Sequence, residues 1–563
     1  MGEPVDPITV SVIQHRLEAI VQEMGEAMLR TSYSQILNSS RDFSTALCDG
    51  DGRLVAQAEH VPIHVGAIPW AVRSVRQFFG DRVRPGDVYL LNDPYHGNNH
   101  LPDLTAFVPV FVGETLVFWS INRSHQSDIG GATHGGYNPG ATEIWQEGIR
   151  ITPLRLYEAG TLREDVLHML ATNVRHPRDF RGDLAAMIGS ARVGERRLHA
   201  LLEEYGAATV GAAVEAILDG AERQARACIA TWTNGVYRGE AILDDDGHRY
   251  RDIHVRATVT KRGSDLTVDL SDSHPQVVGF VNSSYPNMRS AVAMALAYLI
   301  DPYTPKNDGT FRPLTVIARP GTVVWANPPA PMTLCTNHCG QEIAEAVIKA
   351  LAPACPGRAL AGWSRRFRIA IQGIDPRSGR PFIWHMFHAR GGGGASPAGD
   401  GWPTVGEGQA AGGIKFGSVE VTEVRFPLFF RRHEFRPDSG GAGRCRGGVG
   451  SVLELLVEVT EPARANTAGD GIRHAPYGLL GGKDGLPHRY RLRSRGRRDR
   501  VLKTKEVGVV VRPRDVFFVE SAGGGGYGEP RERDDRARAA DRENGFVTGN
   551  GRARPTRRRR RRR

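Results

Sequence analysis

A chain of 563 residues, 40% hydrophobic and 24% charged, is too long for one core and too apolar to be disordered, so roughly two to four domains are expected. Nine positive charges of the formal +11 belong to Arg552, Arg554 and Arg557–Arg563, which leaves a net +2 on the rest and gives no reason to expect a specific nucleic-acid partner for the folded body. No apolar run of about 20 residues marks a membrane span, the N-terminus lacks a secretory pattern, and six scattered cysteines suit a reducing cytoplasm.

In chain order, Asp6-Pro7 opens an amphipathic helix whose apolar stripe is Ile13, Leu17, Ile20, Val21, Met24 and Met28. Phe43–Cys48 and Arg53–Gln57 flank Asp49-Gly50-Asp51-Gly52, a hairpin signal, and Asp42 stands just before the first of these strands. His60 and His64 precede a helix over Ala67–Phe79 and read as candidate substrate contacts. Val88–Asn92 is a short strand closed by Asn92-Asp93-Pro94. Leu104–Val112 and Thr115–Ile121 then form a hairpin about Gly113-Glu114, a turn of the glycine-first kind.

Counting back from that turn places Asp103 opposite Ser124 and His125 opposite Pro102, so His100, Asp103 and His125 meet at one end of the ribbon. The spacing H-x-x-D, with a histidine 22 residues on, is that of a three-ligand metal cluster. Imidazole and carboxylate without thiolate suit Zn²⁺, Mn²⁺ or Fe²⁺. His96 stands in the same loop. A glycine-bearing stretch, Ile129–Tyr137, and Thr142–Gly148 follow, and Asp128 and Glu147 are the nearest carboxylates able to act as general base or orienting partner.

Thr161–Cys228 reads as helical, with Leu184–Leu202 and Ala208–Ala230 as its main segments. Ile253–Thr260, Asp265–Leu270, Thr315–Ala318 and Thr322–Trp325 read as strands, and Ser290–Leu299 as a packed helix. Cys335, His338 and Cys339 have the look of half a zinc site without a second half. The last third is dominated by glycine runs at Gly391–Gly394, Asp438–Gly443, Gly447–Gly450, Gly481-Gly482 and Gly523–Gly526, expected as loops between short strands. None is followed by the lysine and hydroxyl residue of a phosphate-binding loop, so no ATP site is visible. The expected class is a multidomain α+β protein. Its parts are a metal-holding α/β domain over 1–160, a helical subdomain over 161–235 and an α/β middle domain over 236–385. A glycine-rich β domain over 386–545 and a disordered Arg-rich tail over 546–563 complete it.

Several phrases together carry a resemblance: Arg41-Asp-Phe-Ser44, Gly86-Asp-Val, Asn92-Asp-Pro, His100-Leu-Pro-Asp103, His125 with Asp128-Ile-Gly-Gly131, Gln146-Glu-Gly148, Pro305–Pro313, Asp438–Gly443 and Ser521–Pro530. Over about residues 6–545 the chain resembles the hydantoinase B/5-oxoprolinase family, to which subunits of acetone and acetophenone carboxylases are related within one superfamily. The resemblance implies a divalent metal held by Asp42, His100, Asp103 and His125. It implies hetero-oligomeric assembly with an A-type subunit of actin-like ATPase fold. That partner binds ATP and phosphorylates a small cyclic amide, whose ring is opened here with Asp128 or Glu147 handling the proton. The chain departs from the family pattern at Gly391–Ala395, at Asn282-Ser-Ser and after Gly545. A carboxylase subunit and a non-catalytic, Arg-tailed polyanion binder are the competing readings.

Overall fold

The computed structural model describes residues 5–58 and 60–549; the arginines of the tail, Arg552, Arg554 and Arg557–Arg563, lie outside the described residues. The fold is α+β, with helices packed on several sheets. Asp6 caps the helix Pro7–Thr31, its carboxylate accepting from the amides of Ile8 and Thr9. Proline follows at the first helical position, where its missing amide costs nothing. The stripe from Ile13 to Met28 is buried.

That helix lies on a seven-stranded antiparallel sheet made of β1 (Phe43–Asp49), β2 (Leu54–Ala58), β3 (Val88–Leu91), β4 (Asp103–Val112), β5 (Thr115–His125), β6 (Leu154–Glu158) and β7 (Thr161–Leu162), in the order β2-β1-β5-β4-β3-β6-β7. Successive strand residues point to opposite faces, and both faces are covered. Leu47, Val110 and Phe118 join the N-terminal helix and the helices Pro177–Tyr205 and Ala207–Ala230 in one core. Ala46, Cys48, Phe107, Trp119 and Ile121 join the helix Ile68–Phe79 in another.

The hairpin turns at Gly113-Glu114, with Gly113 at φ +59°, but its register differs from the expected one. Val112 pairs with Thr115 and Phe111 with Leu116, whereas Val110 pairs with Phe118, so Val117 is an extra residue in β5. This β-bulge shifts every later pair by one. Asp103 therefore stands opposite His125, not Ser124.

Four strands, Gly235–Asp245, Arg251–Arg262, Asp265–Asp269 and Leu314–Ile317, make a second sheet. Its inward residues Val255 and Val259 share a core with Ile343 and Val347 of the helix Gly340–Leu351. Thr322–Trp325 is not a strand: Thr322 makes only isolated bridges to Pro275 and Trp325. After Pro320-Gly321 the chain folds back too tightly for a ladder.

Towards the C-terminus two further sheets enclose Ile369, Trp384, Leu453, Leu455, Phe517 and Val519. The glycine runs beside them are not simple strand connections. They lie backbone to backbone. Gly448 donates its amide to the Gly393 carbonyl at 2.9 Å, Gly524 to Gly448 at 2.8 Å, and Gly441 to Gly524 at 2.8 Å. A methyl group on Gly392 or Gly524 would overlap a carbonyl oxygen of a neighbouring run, that of Gly448 or Gly393, and one on Gly448 would overlap the Trp402 carbonyl, so side chains are excluded there by contact. Among the described residues no helix is long and apolar enough to cross a membrane.

Candidate metal centre

Strand alternation builds the centre. On β4, Asp103 and Thr105 share a face with Phe107; on β5, Arg123 and His125 share that face with Trp119 and Ile121. Ser44 of β1 pairs with Arg123, and the His125 amide donates to the Asp42 carbonyl at 3.0 Å, which carries the same face on to Asp42. The short helix Pro62–Val65 covers this end and lowers His64 onto it. His100 arrives from the loop before β4.

At the centre, one ligand atom from each of His100, Asp103 and His125 lies within 4.8 Å of the others. His100 Nε2 is 2.8 Å and His125 Nδ1 2.9 Å from Asp103 Oδ1. His64 Nε2 is 3.2 Å from Asp103 Oδ2 and 3.7 Å from Asp42 Oδ1. Asp42 thus reaches the cluster through His64 and stands at its edge. His64, read from sequence as a substrate contact, stands beside the predicted ligands, against Asp103 and Asp42. No local spacing announces it, because only the fold brings Pro62–Val65 over the sheet end. His60 instead packs edge-on against Phe43, and His96 stays half-exposed beside Asp93.

Whether these residues fit a cation is answered by what they leave unpaired. His100 Nε2, His125 Nε2 and Asp103 Oδ2 are buried without a hydrogen-bond partner. Each such acceptor costs about 1–3 kcal/mol when desolvated and unsatisfied. The tautomers agree with ligation. His100 donates from Nδ1 to the Thr333 carbonyl and His125 donates from Nδ1 to Asp103, so each Nε2 carries its lone pair: that of His125 has no partner, and that of His100 faces Asp103 Oδ1 at 2.8 Å, a contact of two acceptors that a cation would relieve. A donor set of two imidazoles and carboxylate oxygens suits a divalent transition ion.

The environment tunes each group. Burial, then the neighbouring Asp103, pushes the Asp42 carboxyl up to about 7. Burial opposes ionisation of Asp103, but His100 and His64 hold it well below the usual carboxylate range. Burial pushes His64 down to about 4 and His125 to about 3, so both are neutral near pH 7.

The two carboxylates expected to handle protons are each held by several hydrogen bonds. Asp128 accepts from the amide and guanidinium of Arg175, at 2.7 and 3.0 Å, and anchors the loop after β5. Glu147 accepts from the amides of Met332 and Thr333, both at 2.9 Å, and from the Thr333 hydroxyl at 2.6 Å. It thereby fixes the carbonyl that orients His100, the role of an outer partner to a ligand. Cys335 and Cys339 form no metal pair: their thiols donate to the carbonyls of Asn99 and Val323. His338 spends both nitrogens on Glu342 and the Arg366 carbonyl.

A sequence model of the hydantoinase B/oxoprolinase family matches residues 6–530. This chain belongs to that family. Among hydantoinase B/oxoprolinase relatives, caprolactamase subunit beta of Pseudomonas jessenii is 38% identical over 559 residues, covering 97% of this chain and 95% of that one. The crystal structure of the ATP-dependent caprolactamase from Pseudomonas jessenii superposes with a TM-score of 0.91 at 36% identity, over 97% of this chain and 95% of that chain. A nucleotide-free acetone carboxylase chain shares the hydantoinase B fold, with a TM-score of 0.86 at 20% identity over 96% of this chain and 78% of that one.

Proposed function

We propose that this chain is the metal-holding, ring-opening subunit of an ATP-dependent cyclic amide hydrolase. It works in the cytoplasm with a separate A-type ATPase subunit that phosphorylates a lactam, hydantoin or 5-oxoproline ring. The observation that carries this reading is the convergence of orphaned Nε2 and Oδ2 lone pairs, in a chain so similar along its whole length to the beta subunit of a caprolactamase.

The division of labour has a chemical reason. An unstrained amide ring resists water because resonance stabilises it, and phosphorylation of its oxygen makes the carbonyl carbon a better electrophile. His100, Asp103 and His125 would hold a divalent ion, with Asp42 as a fourth, oxygen ligand. Such an ion, when bound, supplies a Lewis acid and lowers the pKa of a coordinated water towards ~7. His64, neutral and facing the same space through Nε2, accepts the proton of the attacking water. Glu147 keeps His100 in its productive tautomer, and Tyr137, stacked 5.6 Å from His125, excludes bulk water from that side.

Co-expression with the A-type subunit tests the reading. The purified complex is expected to contain stoichiometric divalent metal and to open caprolactam, hydantoin or 5-oxoproline only with ATP. Incorporation of labelled bicarbonate into product would make it a carboxylase instead, and absence of both activities with metal and ATP supplied would refute the enzyme reading.

Proton release gives a second prediction. At pH 6 the Asp42 carboxyl, with its pKa near 7, holds its proton in the metal-free protein and must lose it to ligate. His64 and His125 are already neutral. Metal uptake at pH 6 is therefore expected to release about one proton more from the wild type than from Asp42→Asn. Calorimetry in buffers of different ionisation enthalpy reads this directly. Equal release from both proteins would remove Asp42 from the ligand set.

A further inference from the structure

We propose that Arg366 and Arg368 form a binding subsite for a phosphoryl dianion beside the metal centre. Arg366 immediately precedes the strand Phe367–Asp375 and Arg368 is its second residue. Alternation sends Phe367 into the C-terminal core, where it stacks on Tyr490 at 3.7 Å, and turns both guanidinium groups the other way. Arg368 Cζ lies 4.2 Å from the centre of the Tyr137 ring, the ring that stacks on His125. Through Tyr137, Arg368 stands beside the candidate ligands, and Arg366, two residues earlier, lies on the same side of the chain.

Their charge is not balanced. Arg366 is 6% and Arg368 2% exposed, and the Nε–H of each has no partner. Arg366 shares Glu407 with Arg390, at 3.5 and 3.1 Å. Arg368 donates to the Gly135 carbonyl at 3.2 Å and to His385 Nδ1, and among the described residues it has no carboxylate within 4.0 Å. A buried cation without a counter-charge is costly by several kcal/mol. A divalent ion at the neighbouring cluster deepens that surplus rather than relieving it. What restores balance is an anion carrying about two charges and several acceptor oxygens, and planar guanidinium forks match phosphoryl oxygens in pairs. A cleft of about 220 Å³, whose charged lining is Arg380 and Arg425 with Asp179 and Asp375, runs in as far as His385, the partner of Arg368. It offers a polar approach from outside.

That a phosphoryl group should arrive here rests on the function proposed above, in which the ring comes phosphorylated; the test needs no turnover. Inorganic phosphate titrated into the metal-loaded full-length chain, without partner or ATP, is expected to bind one to one by calorimetry and to raise the melting temperature. Affinity is expected to fall at least about tenfold in Arg366→Gln and in Arg368→Gln, the loss of a bidentate charge-assisted contact, and less in Arg368→Lys. Sulfate is expected to compete and acetate is not. Three results would overturn the proposal: no saturable phosphate binding in the wild type, unchanged affinity in both glutamine variants (phosphate held by the metal alone), or acetate binding as tightly as phosphate. Should the glutamine variants fail to fold, the competition of sulfate and acetate in the wild-type chain decides. Ring opening by a complex whose chain ignores phosphate would refute the subsite and leave the function standing; phosphate binding without ring opening would do the reverse.

Discussion

Alanine at His100 or at His125 is expected to reduce bound metal from one ion per chain to a small fraction and to lower ATP-dependent ring opening by roughly 10³-fold or more, about 4 kcal/mol in activation free energy. The size of the effect follows from geometry. Each histidine contributes one of the buried Nε2 atoms that lack a hydrogen bond. Removing either leaves Asp103 ionised in a dry site with one nitrogen ligand fewer. The fold should survive, because both rings stand at the end of the β4–β5 ribbon, while the sheet is held by residues such as Phe107 and Trp119 nearer its middle. Metal analysis and a melting curve on the same preparations separate loss of the ion from loss of the fold. Full metal content and full rate in either variant would mean that the ion, if there is one, binds elsewhere.

Gly524→Ala is expected to cost more than about 4 kcal/mol, enough to leave little soluble protein at 37 °C. Gly524 sits inside the stack of glycine backbones, donating to Gly448 and accepting from Gly441, both at 2.8 Å. An added methyl collides with the Gly393 carbonyl, and the obstacle is backbone rather than a flexible side chain. Relief would require separating runs that satisfy one another's amides. Gly211→Ala is the control: it lies in the helix Ala207–Ala230 with open space around it, and the substitution should stabilise by up to about 1 kcal/mol. Urea unfolding of both proteins measures the contrast. A Gly524→Ala variant as stable as the wild type would show that the glycine runs are not in mutual contact.

Much of the local structure was legible in residue order. Asp6-Pro7 marks a helix start because a carboxylate can take up orphan amides there. Gly113-Glu114 marks a hairpin because glycine accepts a positive φ, and His100, Asp103 and His125 can be placed at its open end from periodicity two alone. What the linear text withholds is anything that depends on segments distant in sequence. The bulge at Val117 changes which residue faces Asp103. His64 reaches the cluster because one short helix happens to cap one sheet end, and Arg366 and Arg368 because a strand some 240 residues further on turns its polar side to the same space. Glycine runs that look like loops become a packed body only when several lie side by side, since a missing side chain says nothing about which backbone will occupy its place. Local propensity therefore determined the elements and their hydrogen-bonding ends. Tertiary packing decided which charges share one dry volume, because burial and Coulomb interaction act through space and take no account of distance along the chain.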